Sequence, residues 1–267
     1  MGITRLRGVA VMGAVLVAAF LFGAIAMGEG AVLLKTDYYL LSIGTIDLPM
    51  PSLIQSAQGQ GFAVIVRDGG TVTAYRGTTA TQESEDVLLD AASLLYVDGA
   101  SFLLRVKGES IDYTVRPGAS GYALVLDPHD DLPLAESVGT ILASLQSLGI
   151  VGSEVDMTFT SFAKGTQKDP EPPAGVAIDS SLYALSVAPD WFAAAKEKNL
   201  TRVGLRVEVV AEKLPGGSIP EGYAPYVESE TDALAKLLLP IEKLVGLAQS
   251  SEIGYVRPPY QPHPAGV

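Results

Sequence analysis

The sequence predicts an α+β fold: a five-stranded antiparallel sheet with flanking helices, followed by a second, smaller α+β unit and preceded by one N-terminal transmembrane helix. Three observations support this fold class. They are an uncharged apolar run near the N-terminus, alternating strand and helix patterns over 61–149, and further short patterns after Gly149. They divide the chain into an anchor or signal (1–30), an α+β domain (31–150), a second α+β unit (151–255) and a proline-rich tail (256–267).

Composition narrows the function classes. The 267 residues are 48% hydrophobic and 18% charged, enough to bury a core and to exclude a wholly disordered chain. With 18 basic and 30 acidic residues the formal charge is −12, which argues against nucleic-acid binding because phosphates are repelled. Cysteine is absent, so disulfides, thiolate metal sites, cysteine nucleophiles and a lipoprotein attachment site are excluded.

The N-terminal run predicts a membrane anchor. No charged residue lies between Val9 and Met27, while Arg5 and Arg7 precede this run and Glu29 follows it. Its length is close to the ~20 residues that span a bilayer and exceeds the roughly 7–15 residues of a cleaved signal core. A retained anchor is therefore favoured. A cleaved signal stays open, because Ala24–Ala26 matches a small-x-small cleavage site.

The basic residues predict the orientation of this anchor. Arg5 and Arg7 precede the run, and the next basic residue is Lys35. The positive-inside rule then keeps the N-terminus in the cytoplasm and places the bulk of the chain outside. We expect a single-pass protein of the cell membrane whose first partner is the membrane itself.

Residues 31–150 show hairpin patterns. The run Phe62–Val66 is followed by Asp68-Gly69-Gly70 and the alternating segment Thr71–Arg76, which predicts one hairpin. A second is predicted from Phe102–Lys107 and Ile111–Arg116 around Gly108, and a fifth strand from Tyr122–Leu126.

Two helices are predicted beside these strands. The first covers Ser84–Val97, with Ser84 as the cap and with apolar residues at helical spacing. The second follows Asp130 and Asp131, which are expected to cap it, and has Pro133 in its first turn. Its apolar stripe is Leu134, Val138, Ile141, Leu142, Leu145 and Leu148.

Three segments resemble the roadblock family of dynein light chains and their prokaryotic relatives, within the profilin-like and longin-like sheet folds. They are GFAVIVRDGGTVTAY (61–75), ASFLLRVKGESIDYTVRPG (100–118) and YALVLDPHDDLPLAESVGTILASLQSL (122–148). The resemblance implies a scaffold that pairs through its sheet and a helix. Cytoplasmic members are platforms for small GTPases, a partner that does not carry over to a domain outside the cytoplasm. The family's long first helix is replaced here by the short segment 51–58.

The second unit is predicted from shorter patterns. Val155, Met157 and Phe159 alternate with polar residues, and 165–175 is a proline-containing loop. Leu182–Val187 is expected to be a strand, Pro189–Lys198 a short helix, and 203–210 a strand with one wetter face. A helix kinked at Pro240 is predicted over 234–248.

No residue is predicted to be catalytic, to bind a cofactor or to ligate a metal. His129-Asp130-Asp131 offers possible ligands, but a helix cap beside a solvated histidine is favoured. The S-x-x-K pattern at Ser161–Lys164 lacks the companion motifs of acyl-serine enzymes and is interpreted as chance. The remaining candidates are acids at a helix start, an aromatic pair, a sequon and a tail histidine: Glu83, Glu85, Asp86, Trp191, Phe192, Asn199 and His263. Trp191 is expected in the core.

These observations favour a membrane-anchored, extracytoplasmic, non-catalytic scaffold or assembly subunit of a membrane or envelope complex. A protein partner or a homo-oligomer is expected, without cofactors and without nucleic acid. The alternative is an extracytoplasmic ligand-binding sensor with a PAS-like sheet. A sheet-lined pocket holding a small molecule would favour the sensor, and an exposed apolar strand edge or helix face would favour assembly.

Overall fold

The computed structural model describes residues 33–35, 37–78, 82–151, 158–164 and 170–260. The chain divides into two compact units, one ending at Lys164 and the other starting at residue 165, and the predicted α+β class is confirmed. Within the described ranges, no helix combines the length and the apolar character needed to cross a bilayer. The anchor predicted at Val9–Met27 lies outside the described residues, as does His263.

The first unit is built around one large sheet. The strands of this unit are β1 (Leu33–Leu34), β2 (Tyr38–Gly44), β3 (Ala63–Asp68), β4 (Thr71–Arg76), β5 (Ser93–Asp98), β6 (Ser101–Val106), β7 (Ile111–Gly118), β8 (Gly121–Pro128), β9 (Leu132–Pro133) and β10 (Thr158–Phe162). β1 and β9 pair only with each other, in a separate two-stranded sheet. Its helices are α1 (Met50–Gly59), α2 (Glu85–Leu89) and α3 (Leu134–Ser147). Both predicted hairpins are confirmed, as β3–β4 with Gly69 at φ 57° in its turn, and as β6–β7.

The sheet differs from the predicted one in size and in direction. It has eight strands in the order β10-β2-β8-β7-β6-β5-β3-β4, rather than five. β3 and β5 are parallel, with Ala63 opposite Leu94, while the other pairs in this order are antiparallel. The parallel pair follows from the connection. β4 brings the chain back to the end of the sheet at which β3 begins, and after α2 the chain enters β5 from that same end. The five-stranded antiparallel prediction is therefore wrong.

The helix predicted over Ser84–Val97 ends early. α2 stops at Leu89, and the apolar residues beyond it form β5, whose residues 94–97 are all buried between β3 and β6. A short apolar run of this kind fits a buried strand as well as a helix face. With this extra strand, four strands of the large sheet, β5 to β8, lie between α2 and α3 along the chain, where the sequence predicted three.

The two faces of the sheet carry different helices. Leu53 of α1 and Ile141 and Leu145 of α3 lie in one hydrophobic core cluster with residues such as Leu104 of β6. The next residue, Arg105, donates to the carbonyls of Leu89 and Ala91 at the end of α2. Successive side chains of a strand point to opposite faces. α1 and α3 therefore cover one face, and α2 covers part of the other.

The start of α3 differs from its prediction. The helix begins after Pro133, which makes no side-chain cap bond, and Asp130 and Asp131 lie ahead of it. The residues between them and the helix form β9, which pairs with β1. Asp130 and Asp131 are thus separated from the first helical turn by a strand, and the capping prediction is wrong.

The sheet of the first unit reaches further along the chain than predicted. β10 pairs with β2 from Thr158 to Phe162, so the first unit runs to Lys164 rather than to residue 150. The predicted boundary at Gly149 marks the end of α3 only. A strand that closes a sheet from a distant part of the sequence leaves no local signal of that pairing.

The second unit contains a smaller sheet and short helices. Its elements are α4 (Ser180–Val187), α5 (Trp191–Glu197), β11 (Arg202–Val203), β12 (Arg206–Lys213), β13 (Val227–Glu230), β14 (Leu234–Pro240), α6 (Leu244–Ala248) and β15 (Ile253–Arg257). The sheet order is β11-β12-β14-β13, and β15 pairs with β12. The predicted strand over 203–210 with one wetter face is confirmed only from Arg206, where β12 begins, and Val207, Val209 and Ala211 on its inner face are fully buried. Val203 belongs to β11, which pairs with β12 across a turn, so the prediction of one continuous strand is wrong.

Two predictions in this unit are wrong. Leu182–Val187 belongs to α4, where the Asp179 carboxylate caps the helix by accepting from the Ser181 amide at 2.9 Å. The helix predicted over 234–248 is the strand β14 followed by a 3₁₀ turn and α6. Ala235, Leu237 and Leu239 are fully buried at a period of two, and Pro240 ends this strand instead of kinking a helix.

Candidate functional site

A half-buried charged cluster ties α2 to the parallel strands. Arg67 at the end of β3 donates through Nε to the Tyr96 hydroxyl at 3.1 Å and forms an ion pair with Glu85 at 2.9 Å. The Tyr96 hydroxyl donates to the other Glu85 oxygen at 2.9 Å. We call Arg67, Glu85 and Tyr96 the Arg67 cluster. Glu85 and Asp86 lie in the first turn of α2 as predicted, and Glu85 also joins this helix to β3 and β5.

Tyr96 is the most perturbed group of this cluster. Its side chain is fully buried, and desolvation raises its pKa to about 12. Glu85 adds to this rise in pKa, whereas the hydrogen bond from Arg67 opposes it. The phenol therefore stays protonated at neutral pH and acts as a hydrogen-bond donor. Each of the three groups already has partners within the cluster, an arrangement typical of a structural contact.

Because the pKa of Tyr96 is raised, the protein is expected to lose stability at alkaline pH. Between pH 10 and 12 the unfolded chain ionises at Tyr96 while the folded protein keeps the proton, so the free energy of unfolding falls as pH rises. This contribution is fully present below pH 10 and amounts to about 2–3 kcal/mol when lost. Urea unfolding at pH 9–12 should show a shallower decline for Tyr96→Phe than for the wild type. Tyr260→Phe, at a side chain 82% exposed, controls for removal of a phenol as such. An unchanged decline in Tyr96→Phe would contradict the assignment.

A second cluster lies where β7 begins and β8 ends. The His129 ring is 2.9 Å from the Glu109 carbonyl through Nδ1 and 3.1 Å from Asp112 through Nε2. Asp112 lies opposite Asp127, whose carboxylate is 2.5 Å from the Lys164 ammonium. We call Asp112, Asp127, His129 and Lys164 the strand-end cluster. The Lys164 ammonium beside Asp127 and the His129 ring beside Asp112 offset the repulsion between carboxylates that face each other across two strands.

The strand-end cluster decides how two sequence motifs are interpreted. His129 contacts Asp112, which is distant in sequence, rather than Asp130 or Asp131. Among the described residues, no group of three acidic, histidine or cysteine side chains is placed to hold a metal ion. In the S-x-x-K pattern, the Lys164 ammonium binds Asp127 and the Pro128 carbonyl. A lysine that activates a serine must instead be free to accept its proton, so the chance interpretation remains the prediction.

Two buried arginines were missed by sequence reasoning. Arg105 and Arg116 are 3% and 2% exposed, on strand positions that alternation assigns to a solvated face. Desolvation lowers the pKa of Arg116 to about 9, and Tyr38 acts in the opposite direction. Thr114 between them on the same face is also buried. The sequence could have indicated that Arg105, Thr114 and Arg116 are buried only if it also showed that chain covers the sheet face on which they lie.

The remaining candidates lie in the second unit. Trp191 is 1% exposed, which confirms its predicted place in the core. Phe192 is also buried and has the Arg202 guanidinium 4.6 Å from its ring centroid, so these two aromatics do not form an exposed platform. Asn199 of the sequon is exposed and has φ 52°, a conformation that asparagine adopts more readily than most residues after a helix end.

The two edge strands of the large sheet, β4 and β10, differ in the hydrogen bonds on their outer sides. At β4, Gln82 Nε2 donates to the Val72 carbonyl at 3.5 Å, and the Glu83 amide donates to the Ala74 carbonyl at 2.9 Å. At β10, no hydrogen bond between described residues reaches the outer side of the strand, and Thr160 and Ser161 are exposed. β10 therefore presents the backbone groups that another strand could pair with.

Comparison of the chain with protein-family models, with curated proteins and with solved structures returned no match.

Proposed function

We propose that the chain is a single-pass membrane protein whose folded part lies outside the cytoplasm and serves as a non-catalytic assembly subunit of a membrane or envelope complex. The anchor and its orientation rest on the uncharged run Val9–Met27 and on Arg5 and Arg7 before it. The assembly role rests on the outer edge of β10.

The β10 edge carries the assembly proposal. Natural sheets protect their edges with charges, prolines or covering chain, because an open edge pairs with other strands. Thr158–Phe162 contains neither a charge nor a proline. Asp156, two residues before the strand, lies outside the described residues, and Lys164, two residues after it, is held by Asp127. The opposite edge, β4, is covered by Gln82 and Glu83. Among the described residues, covering chain is found at the β4 edge and not at the β10 edge, a difference that fits strand addition by a partner.

The charged clusters support a structural role for the polar residues. Glu85 connects α2 to two strands, and Lys164 connects the end of β10 to β8. From β6, Arg105 donates to the carbonyl of Leu89, the last residue of α2, and to that of Ala91 just after it. Each of these side chains joins separate elements of the fold, which accounts for its polar contacts without a catalytic duty.

The relation to the roadblock family is part of this proposal. It rests on the hairpin β3–β4, the hairpin β6–β7 and the passage from β8 into α3. The parallel pair β3–β5 and the additional strand β5 are departures from the family's expected sheet. A pairing scaffold outside the cytoplasm is what the resemblance contributes.

The proposal is tested on native membranes. The protein should stay with the membrane after carbonate washing, and protease added outside spheroplasts should digest the folded part. Extracted in mild detergent, it should migrate as a species well above the 27.9 kDa of one chain.

Three results would contradict the proposal. Release by carbonate with an N-terminus near Met27 would show a cleaved signal, and full protection from protease would reverse the orientation. A single chain that carries a small molecule would favour the sensor alternative.

A further inference from the structure

We propose that the Asn199 side chain is glycosylated outside the cytoplasm, where its amide nitrogen accepts an oligosaccharide from a lipid pyrophosphate carrier. The proposal rests on the orientation given in the proposed function, because the acceptor has to lie on the side of the membrane where this donor is used. It follows from the acceptor motif and from the surroundings of the first and third residues of that motif.

The motif is Asn199-Leu200-Thr201, an asparagine with a threonine two residues after it and no proline between them. Asn199 is the only asparagine of the chain. A three-residue motif also arises by chance, so its place in the fold decides whether it can serve as an acceptor. An acceptor has to lie on the surface, because the attached oligosaccharide is bulky.

The fold places the motif on the surface of the second unit. It lies between α5 and β11, and the side chains of Asn199 and Thr201 are both exposed. The Asn199 amide donates to the Lys196 carbonyl at 3.2 Å, and the Leu200 amide donates to the Ala195 carbonyl at 2.9 Å. The end of the helix thus holds the backbone of the motif, while the two side chains that an acceptor needs reach solvent.

The fold explains Asn199 but not Thr201. Asn199 has φ 52°, a conformation that glycine and asparagine adopt most readily after a helix. The Thr201 carbonyl accepts from the Glu208 amide at 2.9 Å, a backbone contact that any residue could make. Among the described residues, nothing hydrogen-bonds to the Thr201 hydroxyl. The acceptor motif requires a hydroxyl at this position, whereas the described packing does not.

The transfer makes one bond and breaks one. Nδ2 of Asn199 bonds to the anomeric carbon of the first sugar, and the bond between that carbon and the pyrophosphate oxygen breaks. The lipid pyrophosphate leaves with the electron pair, and the Asn199 amide loses one proton to a base of the transferase. The chain is the substrate of this step and supplies no catalytic residue, in agreement with the non-catalytic role proposed above.

The test uses full-length protein purified from native membranes. A protease that cleaves after glutamate releases the peptide 198–208, whose mass shows whether Asn199 carries sugar. We expect a mass above that of the unmodified peptide, with sugar fragment ions in its spectrum. Thr201→Ala should abolish the added mass although Asn199 is still present, and Thr201→Ser should keep it.

Asn199→Gly is the variant matched for backbone conformation, because glycine adopts a positive φ without strain. It should lose the added mass and keep the circular dichroism of the wild type. The combination separates loss of the acceptor nitrogen from loss of the fold.

The outcomes distinguish this inference from the proposed function. An unmodified peptide 198–208 overturns the inference, and so does an added mass that persists in Thr201→Ala. If protease added outside spheroplasts still digests the folded part of an unmodified protein, the proposed orientation stands and only the glycosylation fails. If the folded part is protected and the peptide is unmodified, both fail.

Discussion

Replacing Ile141 with aspartate is expected to unfold the first unit. Ile141 is 3% exposed in the middle of α3 and lies in the core cluster with Leu53, Leu145 and strand residues of the large sheet. An aspartate there buries a carboxylate without a partner and removes apolar contacts, a loss of about 3–5 kcal/mol. Domains of this size have a total stability of about 5–15 kcal/mol, so a marginal one would no longer fold.

The Ile141→Asp effect is measured by urea unfolding followed by circular dichroism. Ala143→Asp is the matched control, because it adds the same charge to an exposed position of the same helix. His129→Ala should also be nearly silent, at under about 1 kcal/mol, since its contact with Asp112 is between partly exposed groups. If Ile141→Asp kept the wild-type transition while Ala143→Asp lost it, the orientation of α3 would be wrong.

Replacing Arg105 with methionine is expected to have the second largest effect. Its guanidinium donates to the carbonyls of Leu89 and Ala91, at 2.8 Å for the latter, where α2 ends against the sheet. Methionine keeps much of the volume and removes both donors, which leaves two carbonyls without a hydrogen bond. An unsatisfied buried group costs about 1–3 kcal/mol, offset in part because a charge no longer has to be buried. We expect a net loss of about 2–4 kcal/mol.

Hydrogen exchange and urea unfolding together check the Arg105 prediction. In Arg105→Met, protection from hydrogen exchange should fall first at the amides of α2 and of Ala91, before it falls in the core strands. Arg105→Lys should lie between the wild type and Arg105→Met, because one ammonium reaches fewer acceptors than a guanidinium fork. Arg76→Met controls for charge, as Arg76 is half exposed and 3.6 Å from Glu83. A more stable Arg105→Met would show that the buried charge, not its hydrogen bonds, dominates at this position.

The correct and incorrect sequence predictions differ in the range over which their causes act. The β3–β4 hairpin was predictable from Asp68-Gly69-Gly70, because a tight turn is specified by the residues that form it. The α3 stripe was predictable too, since one helix face repeats within the segment itself. The helix predictions for Leu94–Val97 and 234–240 were wrong because a short apolar run fits the helix period and the strand period equally well until its neighbours in the fold are known.

The candidate site shows the same division. The sequence contained the uncharged, proline-free strand Thr158–Phe162, but not its position at the edge of the sheet. It marked Glu85 as an acid at a helix start, but Arg67 and Tyr96 come from strands that only the parallel β3–β5 pairing places beside it. Partners of a buried charge come from distant segments, so their identity is a property of the packed fold.

By itself the sequence determined the α+β class, the turns, the helix stripe of α3 and the burial of Trp191, because each depends on neighbouring residues or on side-chain hydrophobicity. Only the tertiary structure decided that the sheet has eight strands, that β3 and β5 run parallel, and that Arg105 and Arg116 are buried. The physical reason is that strand pairing and the burial of a sheet's second face depend on chain segments far apart in sequence, whose contacts leave no pattern in either segment alone.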